Sequence, residues 1–327
     1  MIALLIQLSA LAALAQSETD MNAQKDKTPA DLAERYVRSF QEGKDFMPPS
    51  TGLSQQSEPD TEALRVLDHH LLEEGADVRE NIVDLLADIG TQCADPAGNG
   101  ASSIKNKRVI ELLSGAGLAK ADVAREQAMR YLRKLVLRAD LAAQSSAYAQ
   151  ALEMKPTNEA FLLVAKAGAL EARDVVNKLA ERDDWRNEQA ALVAKASLGD
   201  AAVNARYLEA LEVAKTAGDA FDFGNAIQVL SLIATPQAVK VVAENMRTPL
   251  VHDVPMVIGR SMRLAVLEGL MYNYPDRIEL YPGSIIAEAD YTRAENFCEQ
   301  ELGAVFNSPK PPFMTYKGYP APVPVSK

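Results

Sequence analysis

The feature that most constrains this chain is an apolar stripe of helical period that restarts after very short breaks. Val78, Ile82, Leu85, Leu86 and Ile89 fall at i, i+4, i+7, i+8 and i+11, which puts all five on one face of an α-helix. Ala124, Ala128, Tyr131, Leu132 and Leu135 keep the same spacing, as do Val203, Tyr207, Ala210, Leu211 and Ala214. Between such stripes lie Glu74-Gly75-Ala76-Asp77, Leu198-Gly199-Asp200, Ala217-Gly218-Asp219 and Ala234-Thr235-Pro236. Glycine lets the backbone leave one helix, and aspartate or threonine accepts from the free amides that begin the next. No stretch shows the sustained two-residue alternation of a strand. The fold class read from this pattern is all-α, and connections this short set consecutive helices antiparallel.

Composition supports the reading. Hydrophobic residues make up 48% of the 327, enough for a large core, while aromatics are only 6%. The apolar mass is therefore carried mostly by alanine and leucine, which lose little side-chain freedom in a helix.

The breaks also recur at intervals. Anchored on Ala172, Ala202 and Ala238, similar corners stand 30 and 36 residues apart. Hairpins repeating at this period cannot bury their own stripes and complete a core only by stacking. The run Val78-Arg79-Glu80-Asn81-Ile82-Val83-Asp84-Leu85-Leu86-Ala87-Asp88-Ile89-Gly90 resembles a HEAT-repeat helix ending in a small turn. Ile233-Ala234-Thr235-Pro236-Gln237-Ala238-Val239 resembles a hairpin corner of the short HEAT-like class. The resemblance covers residues 60–273 and is strongest at 78–90 and 160–247. It implies an α-solenoid of stacked antiparallel helical hairpins. The chain departs from the family in regularity, since the spacings drift and several corners lack the usual glycine. A TPR array is the alternative, but it carries a Trp…Leu-Gly…Tyr signature every ~34 residues. Here Trp185 is the sole tryptophan and no such signature is present.

The flanks read differently. Ile2 to Ala15 is apolar but for Gln7 and Ser9, ends in the small-x-small run Ala13-Leu14-Ala15, and turns polar at Gln16. That pattern is a cleavable secretory signal, with cutting expected between Ala15 and Gln16. A membrane span needs about 20 apolar residues, so this run is too short for one. No lysine or arginine precedes it, which departs from the usual signal. The expected organisation is a signal at 1–15, then a polar segment at 16–58 with one short helix (Asp31 to Gln41) and a linker. A HEAT-like solenoid follows at 59–308, closed by a capping helix from Tyr291 to Phe306, and a proline-rich tail at 309–327 ends the chain. The expected location is periplasmic or secreted, with no membrane span once the signal is removed.

A formal net charge of −11 makes nucleic acid an unexpected partner, because a phosphate backbone calls for clustered cations. Catalytic signatures are lacking: there is no G-x-S-x-G, H-E-x-x-H, C-x-x-C or Walker loop. Gly115-Ala116-Gly117 with Lys120 lacks the preceding strand of a phosphate loop. His69 with Glu73, and His70 with Glu74, have metal-ligand spacing, but adjacent histidines point about 100° apart on a helix. A solvated charged face is the better account, and no metal, cofactor or catalytic residue is assigned. Cys298 falls on an apolar helix side with Ala294, Leu302 and Val305. Pairing with Cys93 would have to join residues far apart in an array. From Glu58 to Gln92 ten acidic residues face only Arg65 and Arg79, whereas Ile104 to Arg138 holds nine basic residues against three acidic. The favoured reading is that successive hairpins meet with opposite charge; the alternative is a dipolar surface that orients a partner. Tyr272, Tyr274, Tyr281, Tyr291 and Phe297, then Phe313, Tyr316 and Tyr319, suit an end cap or an interface.

The function expected from these features is an exported, non-catalytic scaffold that binds a protein or peptide partner on a helical surface. An enzyme or accessory protein of the HEAT-like lyase type, or a structural envelope component, remains the alternative. Intact mass spectrometry of the protein recovered from its host should find a mature chain beginning at Gln16. A soluble cytosolic product that retains Met1 would refute export.

Overall fold

The structure is a computed structural model that describes residues 28–42, 53, 58–94, 103–181, 188–254, 257–280 and 286–311. The signal run, its cleavage pair Ala15 and Gln16, and the tail aromatics Phe313, Tyr316 and Tyr319 lie outside these residues. What is described is nearly all helical, and polar caps start most of the helices. Helix α1 (Pro29–Gln41) opens with a capping box: Thr28 Oγ1 accepts from the Asp31 amide at 3.2 Å, and Asp31 accepts from the Thr28 amide at 3.1 Å. Asp60 caps α2 (Thr61–Glu73), and α3 (Ala76–Ala94) follows across Gly75. Asn106 caps α4 (Lys107–Ser114), and a 3₁₀ turn at Ala116–Leu118 leads to α5 (Val123–Leu135), capped by Asp122. Short α6 (Arg138–Leu141) precedes α7 (Ser145–Met154) and the Thr157-capped α8 (Asn158–Ala167).

Beyond the 3₁₀ turn Leu170–Ala172 come α9 (Arg173–Ala180) and α10 (Glu188–Ser197). Then α11 (Ala201–Ala217) runs between its Asp200 cap and Gly218, which takes a φ of 70° that only glycine adopts freely. Asp219 caps α12 (Ala220–Ile233) and Thr235 caps α13 (Pro236–Glu244). After a two-stranded ribbon come α14 (Met262–Asn273), α15 (Pro275–Ile278) and α16 (Glu288–Gln300). All four breaks read from the sequence stand at helix junctions, although Ala76 and Asp77 already lie in the first turn of α3.

Three expectations need correction. Strands were not expected, yet β1 (Val251–Val254) pairs antiparallel with β2 (Val257–Ser261), Val254 opposite Val257, with a bulge between His252 and Val254. The segment is rich in valine, but it is too short to display an alternating pattern, and the bulge breaks its period. The last helix, expected to reach Phe306, stops at Gln300. Gly303 enters the left-handed region (φ 62°) and the Ala304 amide bonds back to the Cys298 carbonyl at 2.9 Å, a glycine-type helix stop. Val305 therefore leaves the apolar side and is 62% exposed. In α11, only Leu211 and Ala214 of the five stripe residues are buried, and Ala210 is exposed.

The helices pack in a regular succession: α1 on α2 and α3, α3 on α5, α5 on α8, α8 on α10, α10 on α12 and α12 on α14. Between them α11 packs on α10 and α12, and α13 on α12, α14 and α16. Buried apolar side chains from Leu32 to Ala304, including the stripe residues Ile82, Leu85, Leu86 and Ile89, form one contiguous cluster. The path curves back on itself. Lys105, ahead of α4, forms an ion pair with Asp276 of α15 at 3.1 Å. Arg138 Nη1 donates to the Ala234 carbonyl at the end of α12 at 3.3 Å.

Cations joining one helix to the end of another recur through the core. Arg79, fully buried, donates to the carbonyls of Leu71, Ala116 and Gly117 and forms an ion pair with Asp122 at 2.8 Å. Arg125 donates to the Ala151 and Lys155 carbonyls at 2.8 and 2.7 Å, at the end of α7. Arg173 donates to Leu198, just past α10, and Arg263 donates to Met246, just past α13. Helix C-termini leave four carbonyls without intrahelical partners and carry partial negative charge, so a guanidinium there meets both needs.

Helices α12 and α14 pack tightly at one point. A Cβ built on Gly269 would stand 2.1 Å from Ser231 Oγ and 3.1 Å from its Cβ. Gly269→Ala gains about 1 kcal/mol of helix propensity. Overpacking costs about 1–3 kcal/mol, and a contact this short makes it the larger effect. The variant should lose thermal stability, and Ser231→Ala in the same chain should restore part of it. Calorimetry on the four members of this cycle checks the coupling; additive changes would contradict it.

Candidate functional site

The structure disperses most of the residues singled out in the sequence. His70 bridges two elements: Nδ1 meets Glu74 at 3.1 Å, and Nε2 meets Glu34 of α1 at 3.3 Å. His69 only neighbours its ring, and His252 lies far along the chain on β1. Among the described residues no three His, Cys, Asp or Glu side chains gather to hold a metal ion. Cys298 is a buried free thiol, pushed up to about 12 by burial and by Glu295 and Glu299; the Cys93 side chain lies outside the description. Gly115-Ala116-Gly117 forms the 3₁₀ connection between α4 and α5. Arg108 of the basic block meets Asp68 of the acidic block at 3.0 Å and Tyr131 donates to Asp84 at 2.9 Å, whereas Arg79 with Asp122 joins the minority charge of each block. Tyr274 and Phe297 meet with tilted rings, centroids 5.3 Å apart, in the last part of the core.

The residues that come together in a cavity are others. A groove of about 640 Å³ lies over the seam of α12 and α14. Gly224, Ala265 and Gly269 line its wall, where side chains are absent or small. Its open end is marked by Phe221, 60% exposed, whose ring meets His252 of the ribbon at 5.7 Å. Asn225 and Gln228, one turn apart on α12, and Glu268 on α14 supply polar groups along it. At the C-terminal ends of the two helices, Leu162 of α8, Arg133 of α5 and Tyr272 of α14 form the floor. Cavities of this size that mix apolar walls with a few polar groups are where proteins hold ligands.

The floor is electrostatically unusual. Arg133 forms a bidentate pair with Glu159, at 2.8 and 3.2 Å. Lys166, only 2% exposed, places its ammonium 4.2 Å from the centre of the Tyr272 ring and donates to the Arg133 carbonyl. Burial, reinforced by Arg133 and Arg138, holds Lys166 down at about 7. Burial also lowers Arg138. The Tyr272 hydroxyl is shut off from solvent with no hydrogen-bond partner of good geometry, although Arg133 lies near; burial pushes it up to about 12. Unsatisfied buried hydroxyls are rare, because each loses water without compensation.

No known family, curated protein or solved structure matches this chain.

Sequence reading passed over this floor, though one signal was present. Lys166 interrupts the otherwise apolar run Phe161-Leu162-Leu163-Val164-Ala165-Lys166-Ala167, where a solvated lysine has no place on the buried face. Arg133 and Tyr272 gave no such sign, since they are 139 residues apart and each fits an ordinary amphipathic helix.

Lys166 makes stability depend on pH. Its folded value near 7 lies below the ordinary 10.5, so between these the unfolded chain binds more protons and stability rises with pH. The penalty is complete below about pH 7 and vanishes above the unfolded value. Lys166→Met should therefore gain most over the parent at pH 7 and progressively less toward pH 10. Thermal unfolding of both proteins across that range measures the difference; a constant gap would show that Lys166 stays charged in the fold.

Proposed function

We propose that this protein is an exported helical scaffold of HEAT-like solenoid type, which holds a peptide segment of a partner protein in the groove over α12 and α14. The observation that carries this reading is the groove itself, with a large exposed aromatic at its mouth and amide side chains along its wall. Phe221 offers exposed apolar area at the rim of the groove, and aromatic residues there make strong anchors. Asn225 and Gln228 each carry a donor and an acceptor, which suits the backbone of an extended peptide. The solenoid reading is supported by the succession of helix contacts, in which each helical pair packs on the next, and by the recurring corners at 172, 202 and 238. Export is supported by the apolar run Ile2 to Ala15 and its small-residue end.

Selection from a displayed library of random linear peptides tests the reading. The intact protein should enrich peptides that share an apolar anchor residue. Phe221→Asp, a change at an exposed position that leaves the core alone, should enrich none of them and melt at the parent temperature. Equal enrichment by both proteins would remove the groove as the binding surface.

A further inference from the structure

We infer that the proline-rich tail of this same chain, residues 312–327, docks in the groove over α12 and α14, so that a partner peptide must displace it. This rests on the reading of the groove as a peptide site and adds the kind of peptide it takes. The two helices run in the same direction along the groove. A Cβ on Gly224 would stand 3.2 Å from Met262 Sδ near their N-terminal ends, and Ser231 meets Gly269 near their C-terminal ends. The mouth, where Phe221 meets His252, is therefore at the N-terminal end of α14.

The described chain ends at the same place. Beyond α16 it turns back, Lys310 Nζ donates to Thr292 Oγ1 at 2.8 Å, and the Pro311 carbonyl accepts from Arg263 Nη1 at 3.5 Å. Arg263 follows Met262, which lines the groove, in the first turn of α14. Sixteen residues remain after Pro311. From Met262 to Tyr272 the groove follows ten residues of helix, about 15 Å. A polyproline-type chain rises about 3.1 Å per residue, so about five residues fill that length and the rest make the approach.

The tail also has the chemistry that the groove accepts. Pro312, Pro320, Pro322 and Pro324 offer carbonyls without amides, and an extended proline-rich backbone makes no hydrogen bonds of its own. The side-chain amides of Asn225 and Gln228 are donors for such carbonyls. Grooves with aromatic walls are recurrent receptors for segments of this kind, which lose little conformational freedom on binding. Here Phe221 and His252 supply the rings, and Phe313, Tyr316 and Tyr319 bring matching apolar area. Residues 312–327 hold Lys317 and Lys327 and no acidic residue, in a chain that carries −11 overall. Charge therefore draws the tail onto the body, and Glu268 on the groove wall does not repel it.

Tethering makes a weak contact effective. A short tether holds the tail at an effective concentration on the order of 1 mM. With an intrinsic Kd of about 0.1 mM, the groove is open about a tenth of the time, and a partner binds about tenfold more weakly than it would to an empty groove.

The test uses full-length chains and a labelled synthetic peptide of residues 312–327. The chain carrying Phe313→Ser, Tyr316→Ser and Tyr319→Ser together should bind this peptide about tenfold more tightly than the parent does, and adding Phe221→Asp should abolish the gain. Trypsin gives a second readout that needs no tail variant: cutting after Lys317 should be about tenfold slower in the parent than in Phe221→Asp. Equal peptide binding by parent and triple variant, or equal cutting rates, would overturn the inference. A gain that survives Phe221→Asp would place the tail elsewhere and overturn it too. The displayed library then decides the groove separately. Enrichment that depends on Phe221 leaves the peptide site standing without the tail, whereas no enrichment removes both.

Discussion

The packing of this protein depends on what happens where its helices end. Most of its helices are short, and every one that stops inside the molecule presents carbonyls that the helix itself cannot satisfy. A chain with few bulky aromatics cannot hide those groups behind large side chains. It sends long cations to them instead. Arg79, Arg125, Arg173 and Arg263 each begin on or near the first turn of one helix and reach the end of another. Each bond therefore fixes the spacing between two neighbours as well as satisfying a carbonyl. The alanine-rich faces then let helices meet closely, as α12 and α14 do at Ser231 and Gly269.

The same device explains an irregular corner. Ala234 ends α12 with a φ of 51°, a left-handed conformation that costs a residue with a Cβ about 1–2 kcal/mol. A glycine would relieve that cost, but the carbonyl of Ala234 is held by Arg138 of α6. The corner is thus set by a contact between residues 96 positions apart, and its local sequence need not be the best one for a helix stop.

Much of the helical framework was legible in the sequence because its causes are local. Caps such as Asp200, Asp219 and Thr235 stand within a turn of the amides they satisfy, and the stripe from Val78 to Ile89 lies on a single helix. The ribbon was not legible, since a strand pair with a bulge has no period to detect. Nor was the end of α16, where Gly303 stops a helix whose apolar stripe would have continued to Val305. The groove was hidden for another reason. Its floor joins side chains from α5, α8 and α14, and only Lys166 breaks its local pattern. What makes the place chemically distinct is an imbalance of charge, which becomes visible when those helices are brought together.

The ion pair between Lys105 and Asp276 bears on how the chain reaches this state. In an array whose units touch only their neighbours, contacts are local in sequence, and order can spread from any point. Here the segment before α4 must find a helix 171 positions later, and α6 must find the end of α12. Such closures raise the mean sequence separation of contacts, and loops of that length must be ordered before the closing contacts can form. The early helices are therefore made long before their final neighbours leave the ribosome. Until the segment from α12 to α15 arrives, Arg138 and Lys105 remain without those bonds, and the buried floor of the groove does not yet exist.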